Sequence, residues 1–403
     1  MAENAGLVLS LILLVVFLVL ALFLARLNIA KQQKMLMQTS PKLRYPFPQS
    51  SRMPPGLMQP ANVSLQGMQA VICRNYADWL ERYILTEKDP RRAFLRTGTA
   101  KRLLKYEYLS TSFGQGLAML LQTLMAGEDP QAQVLFDRLL FSTIIRPSFD
   151  HEDLSSWQMA PDGRSPRLNA DLHAEAWVGF ATLMAMAQWG DSVRVDYLVT
   201  SNAHLTALNE VMNRSREDLG EAVFAPHFIK TFAEAQPEKN WGELANKLDL
   251  ETLKLLAEAE WTGDGGNEDA SLALQLLNLG LARLLGGPEW TPPLQRKLDA
   301  LTRKAYAHFL EPLGAETLSA DYPKAFSNLA LLSCSAPLAM ALGDKDLLGN
   351  FWTALEYNQP AKNDPIGASL RLLAMHALAG SIWFGDVQDL DALDKNKQSA
   401  PEN

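Results

Sequence analysis

Cysteine is nearly absent: the chain of 403 residues has two, Cys73 and Cys334, which allow one bridge at most and exclude a disulfide framework. Both sit in apolar helical contexts, where a thiol behaves as a small buried hydrophobe. Histidine is scarce too, six in all, and no HExxH or CxxC spacing occurs, so no metal and no cofactor is expected. The pattern GxxxxGK[ST] is missing, which excludes a Walker-type phosphate loop. Basic residues are outnumbered, 37 against 45 acidic ones, for a formal net charge of −8. The body of the chain carries no basic patch, and nucleic-acid binding, which needs a concentrated cationic surface, is excluded as a general role. Runs that alternate every second residue are lacking, so no strand pair is expected.

Long hydrophobic runs are represented once. Ala5 to Ala25, "AGLVLSLILLVVFLVLALFLA", is long enough at ~1.5 Å per residue to cross a hydrocarbon core of ~30 Å. A cleaved signal peptide has a basic start and an apolar core of roughly 7 to 15 residues, whereas this chain opens Met-Ala-Glu and stays apolar for longer. The expectation is an uncleaved transmembrane anchor over residues 5–25, behind a short tip of residues 1–4, with the lipid bilayer as its partner. Arg26, Lys31 and Lys34 all follow the run, and the positive-inside bias then favours a cytoplasmic body.

Residues 26–62 hold Lys and Arg but no Asp or Glu, and their second half is crowded with Pro and Ser. Such composition removes helix hydrogen bonds and favours extended chain, so a basic stalk is expected beside the membrane, able to touch anionic lipid. From 63 to 385 amphipathic runs alternate with short turns. Apolar residues recur at three and four, which makes about eleven or twelve helices. Several, such as 324 to 342, are apolar on most of their circumference and need burial on two sides. An all-α fold follows, with an inner ring of helices covered by an outer one in an α/α barrel; a solenoid is the alternative, but no fixed-period repeat is present. Residues 386–403 are poor in apolar side chains and are expected to fray.

In such a barrel, polar residues at the starts of inner helices share one rim. Three starts qualify. In "LSTSFGQGLAML", Ser112, Gly114, Gln115 and Gly116 suggest a permissive turn before a helix beginning near Leu117, with Phe113 at the place of a working side chain. "WQMAPDGRSPRLNADLHAEAW" brings Asp162, Gly163, Asn169, Asp171, His173 and Glu175 to a helix start, where carboxylates also serve simply to complement the helix dipole; His173 and Trp177, four apart, share a face. "WTGDGGNEDASLAL" brings Asn267, Glu268 and Asp269 to another start, one of them as an N-cap. Trp157, Trp177 and Trp261 lie near these starts, either to stack on a ligand or to pack in the core.

The segment "SFGQGLAML", followed by "NADLHAEAWVGFATLMAMAQWG" and "EDASLAL", resembles glycoside hydrolase family 8, the endoglucanase and bacterial cellulose-synthesis hydrolase group. Asn169, Ala174 and Trp189 fall on the family's signature positions, and "DPIGASLRLLAMHALAGSIW" is similar to its last helix. The resemblance implies an (α/α)6 barrel, a β-glucan or other polysaccharide as ligand, and partners in an exopolysaccharide machine. It also favours a periplasmic barrel at a bacterial inner membrane, against the positive-inside reading.

The departures bear on activity. Where the family has its general acid Glu, this chain has Phe113; where it has the first signature Asp, His173; the second Asp becomes Glu175, and the family's base segment matches Asp269-Ala270. An inverting glycosidase needs one protonated carboxyl and one carboxylate, and general acid catalysis contributes ~10²- to 10⁴-fold. Three expectations follow. The first is a membrane-anchored, hydrolase-like glycan binder with impaired catalysis, its ligand held by Phe113, Gln115, His173, Trp157, Trp177 and Trp261. The second is an active hydrolase with Glu175 as relocated acid, or Glu107 by an unusual loop path, and Asp269 as base. The third is a membrane-tethered interaction scaffold with a filled barrel mouth.

Overall fold

The runs with apolar spacing of three and four fold as helices in the computed structural model, which describes residues 43–49, 56–86, 89–97, 109–159, 168–190, 192–214, 226–263, 266–287, 289–309 and 326–383. Among these, twelve helices form: α1 (Leu65–Tyr83), α2 (Ser112–Leu124), α3 (Ala132–Ile144), α4 (Leu172–Trp189), α5 (Tyr197–Arg214), α6 (Pro226–Ala235), α7 (Trp241–Glu258), α8 (Asn267–Leu284), α9 (Pro292–Phe309), α10 (Asn328–Leu342), α11 (Lys345–Tyr357) and α12 (Pro365–Leu378). Side-chain caps set many of the starts. Ser64, Asp171, Ser327 and Asp364 each accept from the amide three residues on, satisfying a donor that has no partner within the helix.

The even-numbered helices pack side by side in the order α2, α4, α6, α8, α10, α12 and back to α2, closing an inner ring. The odd-numbered ones cover it: α3 lies on α2, α5 on α4, α7 on α6, α9 and α11 on α10, and α1 on α12. Sequence decides the layer. Helices α2, α4, α10 and α12 are buried along almost their whole length, as a helix apolar all round requires, while α9 buries one stripe from Leu298 to Phe309. The expected two-layer helical barrel is therefore present. Its ring is tight in two places: a Cβ on Gly116 of α2 would stand 2.8 Å from the Trp177 Cβ of α4, and one on Gly280 of α8 would stand 2.7 Å from the Leu338 amide nitrogen of α10.

Two short antiparallel ladders, not expected from sequence, accompany the helices. β1 (Ile84–Thr86) pairs with β2 (Ala93–Leu95), and β3 (Ser110–Thr111) with β4 (Gln158–Met159). Strands of two or three residues are too short for alternation to show. The second ladder matters for the rim, because it fixes the chain entering α2 against the loop that precedes α4.

The described residues from Arg44 onward belong to one compact unit. The segment expected to span a membrane, 5–25, lies outside the described residues, as do residues 1–4 and the tail 386–403; among the described residues no helix is long and apolar enough to cross a bilayer. The described part of the expected stalk does not stand free. The Gln188 amide of α4 donates to Tyr45 O at 2.7 Å and its Oε1 accepts from Tyr45 N at 2.8 Å, Phe47 N donates to Ala126 O at 2.6 Å, and the Tyr45 ring stacks on Trp383 at 4.2 Å. Met58 N donates to Met340 O at 3.2 Å and Asn62 to Gly349 O at 3.1 Å. Gln188, Ala126, Met340 and Trp383 sit at or beyond the C-terminal ends of inner helices, the end opposite the rim, while Gly349 belongs to α11 of the outer layer. Both cysteines are free thiols, Cys334 buried and Cys73 half-buried.

Candidate functional site

At the first rim position, α2 begins at Ser112 and not near Leu117. Thr111 is its cap, with Oγ1 accepting from Gly114 N at 3.2 Å, and Ser112 N donates to Trp157 O at 3.1 Å. The glycines are thus inside the helix; Gly116 admits the close approach of α4. Phe113 falls in the first turn and is completely buried, its ring 5.3 Å from that of His173 and 5.8 Å, edge-on, from that of Trp177. Trp177 meets Phe228 at 4.9 Å, and Phe228 stacks on Phe180 at 3.9 Å.

The Trp177 Nε1–H donates to His173 Nε2 at 3.1 Å, which makes that nitrogen the acceptor and leaves the ring proton on Nδ1. Burial pushes the imidazole down to about 4, so His173 is neutral near pH 7. The sequence-predicted residues Phe113, His173 and Trp177 are therefore brought together. They form an aromatic cluster at the starts of α2 and α4 with no carboxyl group among them.

The other predicted residues go elsewhere. Gln115 is buried and fully engaged: its Oε1 accepts from Leu95 N at 2.8 Å and Ser110 Oγ at 3.2 Å, and its amide donates to Ala93 O and Leu139 O, both at 3.2 Å. That ties β2, α2 and α3 together and leaves it nothing to offer a sugar. Trp261 is buried, donates to Leu301 O at 2.8 Å and packs edge-on against Phe309 at 5.2 Å, a contact with α9. Trp157 is half-buried beside the β3–β4 ladder and is the rim indole with surface to spare. Asp171 is the α4 cap, accepting from Ala174 N at 3.1 Å, and Glu268 is exposed. Glu107, Asp162 and Gly163 lie outside the described residues.

Glu175 and Asp269, expected as an acid and base pair, have separate surroundings. Asp269 is buried and accepts from Thr262 N at 2.8 Å and Gly263 N at 2.9 Å, holding the loop that enters α8. Glu175 is buried on the side of α4 that faces α5. It accepts from Ser155 N at 3.1 Å and from the Ser155 hydroxyl in a very short bond, with His204 Nε2 of α5 at 3.6 Å from its Oε2. Burial pushes its carboxyl up to about 8, and Asp171 adds to the rise. Glu175 opens on a cavity between α3 and α5 to which Asp269 does not contribute. A hydrolase built from these two groups needs both on one cleft with a water between them, and their surroundings do not supply it. Ser155 and His204 escaped the sequence reading; the available signal was an imidazole on the apolar stripe of an amphipathic helix.

Comparison with known proteins places the barrel. It matches an endoglucanase of Bacillus sp. (strain KSM-330) at 24% identity over 221 residues, 50% of this chain and 47% of the relative. A β-glucanase of Niallia circulans matches at 26% over 170 residues, 40% of this chain and 38% of the relative. Among solved structures, the β-1,3-1,4-glucanase of Paenibacillus sp. X4 superposes with a TM-score of 0.64 at 16% identity, over 84% of this chain and 99% of that one. A cold-adapted family 8 xylanase gives 0.57 at 15%, over 79% and 92%. This is a divergent, glycoside hydrolase family 8-like chain. No family model matches it, and it spans less than half the length of the curated relatives. The barrel has a family 8-like fold, and the first turn of α2 at its rim holds a buried phenyl ring.

Proposed function

We propose that this chain is a membrane-anchored, glycoside-hydrolase-like protein that binds a polysaccharide or serves an exopolysaccharide machine, with impaired catalysis. The observation that carries the reading is Phe113, buried against His173 and Trp177 where a family 8 acid is expected. A phenyl ring donates no proton, and a neutral imidazole whose Nε2 already accepts from Trp177 does not replace the missing acid. Support for a glycan comes from the fold and from relatives named for glucan and xylan. Residues 5–25 are the anchor, and the barrel stands on the periplasmic side of a bacterial inner membrane; Arg26, Lys31 and Lys34 pull the other way.

Two measurements test this. In affinity electrophoresis with mixed-linkage β-glucan or xylan, the full chain is expected to be retarded, and a reducing-sugar assay on the same polymers is expected to stay at the blank. Robust release of reducing ends, abolished by Asp269→Ala, would overturn the reading. A reporter fused at the C-terminus gives the side of the membrane. The burial of the aromatic cluster, with Phe113 at 0% and His173 at 7% exposure, also favours a second reading, a tethered scaffold with a filled mouth. Absence of retardation by any glycan, together with a cytoplasmic reporter, selects it.

A further inference from the structure

Outside the rim, a cavity of about 210 Å³ opens between α3 and α5, floored by Ser155, Glu175 and His204 and edged by the exposed Glu152 and Asp153. Apart from the Thr200 hydroxyl, its polar lining has one hydrogen-bonding sense. The Thr143 hydroxyl donates to Leu140 O at 2.6 Å, that of Thr182 to Val178 O at 2.8 Å, and that of Ser155 to Glu175. With those protons committed, all three oxygens turn only lone pairs towards the space. His204 offers no donor either: Nδ1 faces Asp153 O at 3.2 Å and Nε2 faces Glu175 O at 2.9 Å. Both ring nitrogens of His204 are thus engaged by backbone carbonyl oxygens, with Glu175 beside the ring.

The remaining walls are aliphatic: Leu140, Ile144, Leu154, Val199 and Ala203. Ile144 and Val199 are 48% and 64% exposed, so an apolar lip surrounds an acceptor-rich interior with acids at its edge. No Lys or Arg side chain and no Trp, Tyr or Phe ring lines the space. An anion finds no cationic side chain to pair with, and a sugar finds no indole, phenol or phenyl ring to stack on. We propose that this cavity binds a primary ammonium group carried on a short aliphatic stem, the head on Glu175, Thr143 and Thr182 and the stem against Leu140, Ile144 and Val199. The volume equals the liquid share of about seven waters, enough for an amine of about six heavy atoms.

Binding is proton-linked. The titratable groups facing the space are Glu175 from α4, His204 from α5 and Glu152 and Asp153 from the intervening loop, with none from α3; His151 lies beyond, 3.7 Å from Asp153 and 3.9 Å from Glu210. Glu175 and His204 hold one proton between them near neutrality, since burial pushes the carboxyl up and the imidazole down. The incoming ammonium favours the ionised form of Glu175, and that proton leaves to solvent. Affinity therefore rises with pH.

The test is calorimetric titration of the full chain in detergent micelles and amine-free buffer with n-butylammonium chloride. Saturable binding is expected, at least tenfold tighter at pH 8.5 than at pH 6, with release of a proton seen as a heat that changes with the buffer's ionisation enthalpy. Thr182→Val and Glu175→Gln should each weaken it tenfold or more. Ala203→Leu, which fills the cavity from the surface of α5, should abolish it with an unchanged circular dichroism spectrum. Equal affinity for N-acetyl-lysine methylamide assigns the site to a lysine side chain of a partner, and tenfold weaker affinity assigns it to a free amine; either supports the cavity's chemistry. No saturable heat, binding that Ala203→Leu leaves intact, or xylose or propionate binding in place of the amine overturns it. Such a failure leaves the glycan reading at the rim untouched.

Discussion

On the proposed reading, Phe113 puts a packed ring where the family resemblance would place a reactive carboxyl. Its ring is enclosed by His173 and Trp177 with no exposed surface, so Phe113→Ala leaves a cavity at the junction of α2 and α4 and should cost ~3–5 kcal/mol, read as a shifted urea midpoint with unchanged slope. Phe113→Glu restores the acid's chemical type but not its setting. A carboxyl there is desolvated beside a neutral imidazole, so it is expected to stay protonated near pH 7 and to give no reducing-sugar release, because the pocket offers it no leaving oxygen. Appearance of glycan cleavage in Phe113→Glu would instead mean that the rest of the hydrolytic machinery is intact. Gln115 is structural on a comparable scale. Gln115→Leu strands the Leu95 amide and the Ala93 carbonyl and removes the tie to Leu139 O of α3, at about 1–3 kcal/mol for each group left unsatisfied.

At the scale of elements, the barrel depends on how closely inner helices approach. Gly116→Ala places a methyl 2.8 Å from the Trp177 Cβ, and Gly280→Ala places one 2.7 Å from a backbone nitrogen of α10. Alanine is the better helix former by roughly 1 kcal/mol, but here overpacking of ~1–3 kcal/mol is expected to win, most clearly at Gly280, where backbone cannot step aside. Thermal midpoints of both variants check the sign, and a rise in either contradicts the close-packed ring. The helices themselves were legible in sequence, because a period of three to four survives over ten or more residues. So was the layering, since α4 and α10 are apolar all round. That same property hid the orientation of Glu175: on a helix buried on both sides, periodicity does not say whether a first-turn side chain faces the barrel mouth or the outer layer. The glycines of α2 misled for a related reason. They read as a turn, yet Gly116 serves a helix–helix contact whose other half, Trp177, lies on α4, and Gly114 admits the side chains of Leu95 and Thr97.

For the whole molecule, buried titratable groups make stability depend on pH from both sides. His173 and His376 are buried and held neutral, pushed down to about 4 and about 3 from an ordinary 6.5. Between pH 6.5 and 4 the unfolded chain takes up protons that the folded one refuses, so stability falls as pH drops through that window. Glu175 acts in the opposite sense. Its carboxyl, ordinarily near 4.5, is raised to about 8 by burial, so from pH 4.5 upward the folded state keeps a proton the unfolded chain has lost. Below 6.5 that single proton is outweighed by the two imidazoles. Above 6.5 both histidines are neutral in either state while Glu175 still keeps its proton, so this group makes stability decline as pH rises towards 8 by up to about 2 kcal/mol. The thermal midpoint should therefore peak near pH 6.5. Glu175→Gln, which has no proton to release, should flatten the alkaline side and leave the acid side in place. Midpoints followed by circular dichroism across pH 4.5 to 8.5 decide the matter: an alkaline decline that persists in Glu175→Gln would show that the buried proton is held elsewhere in the barrel.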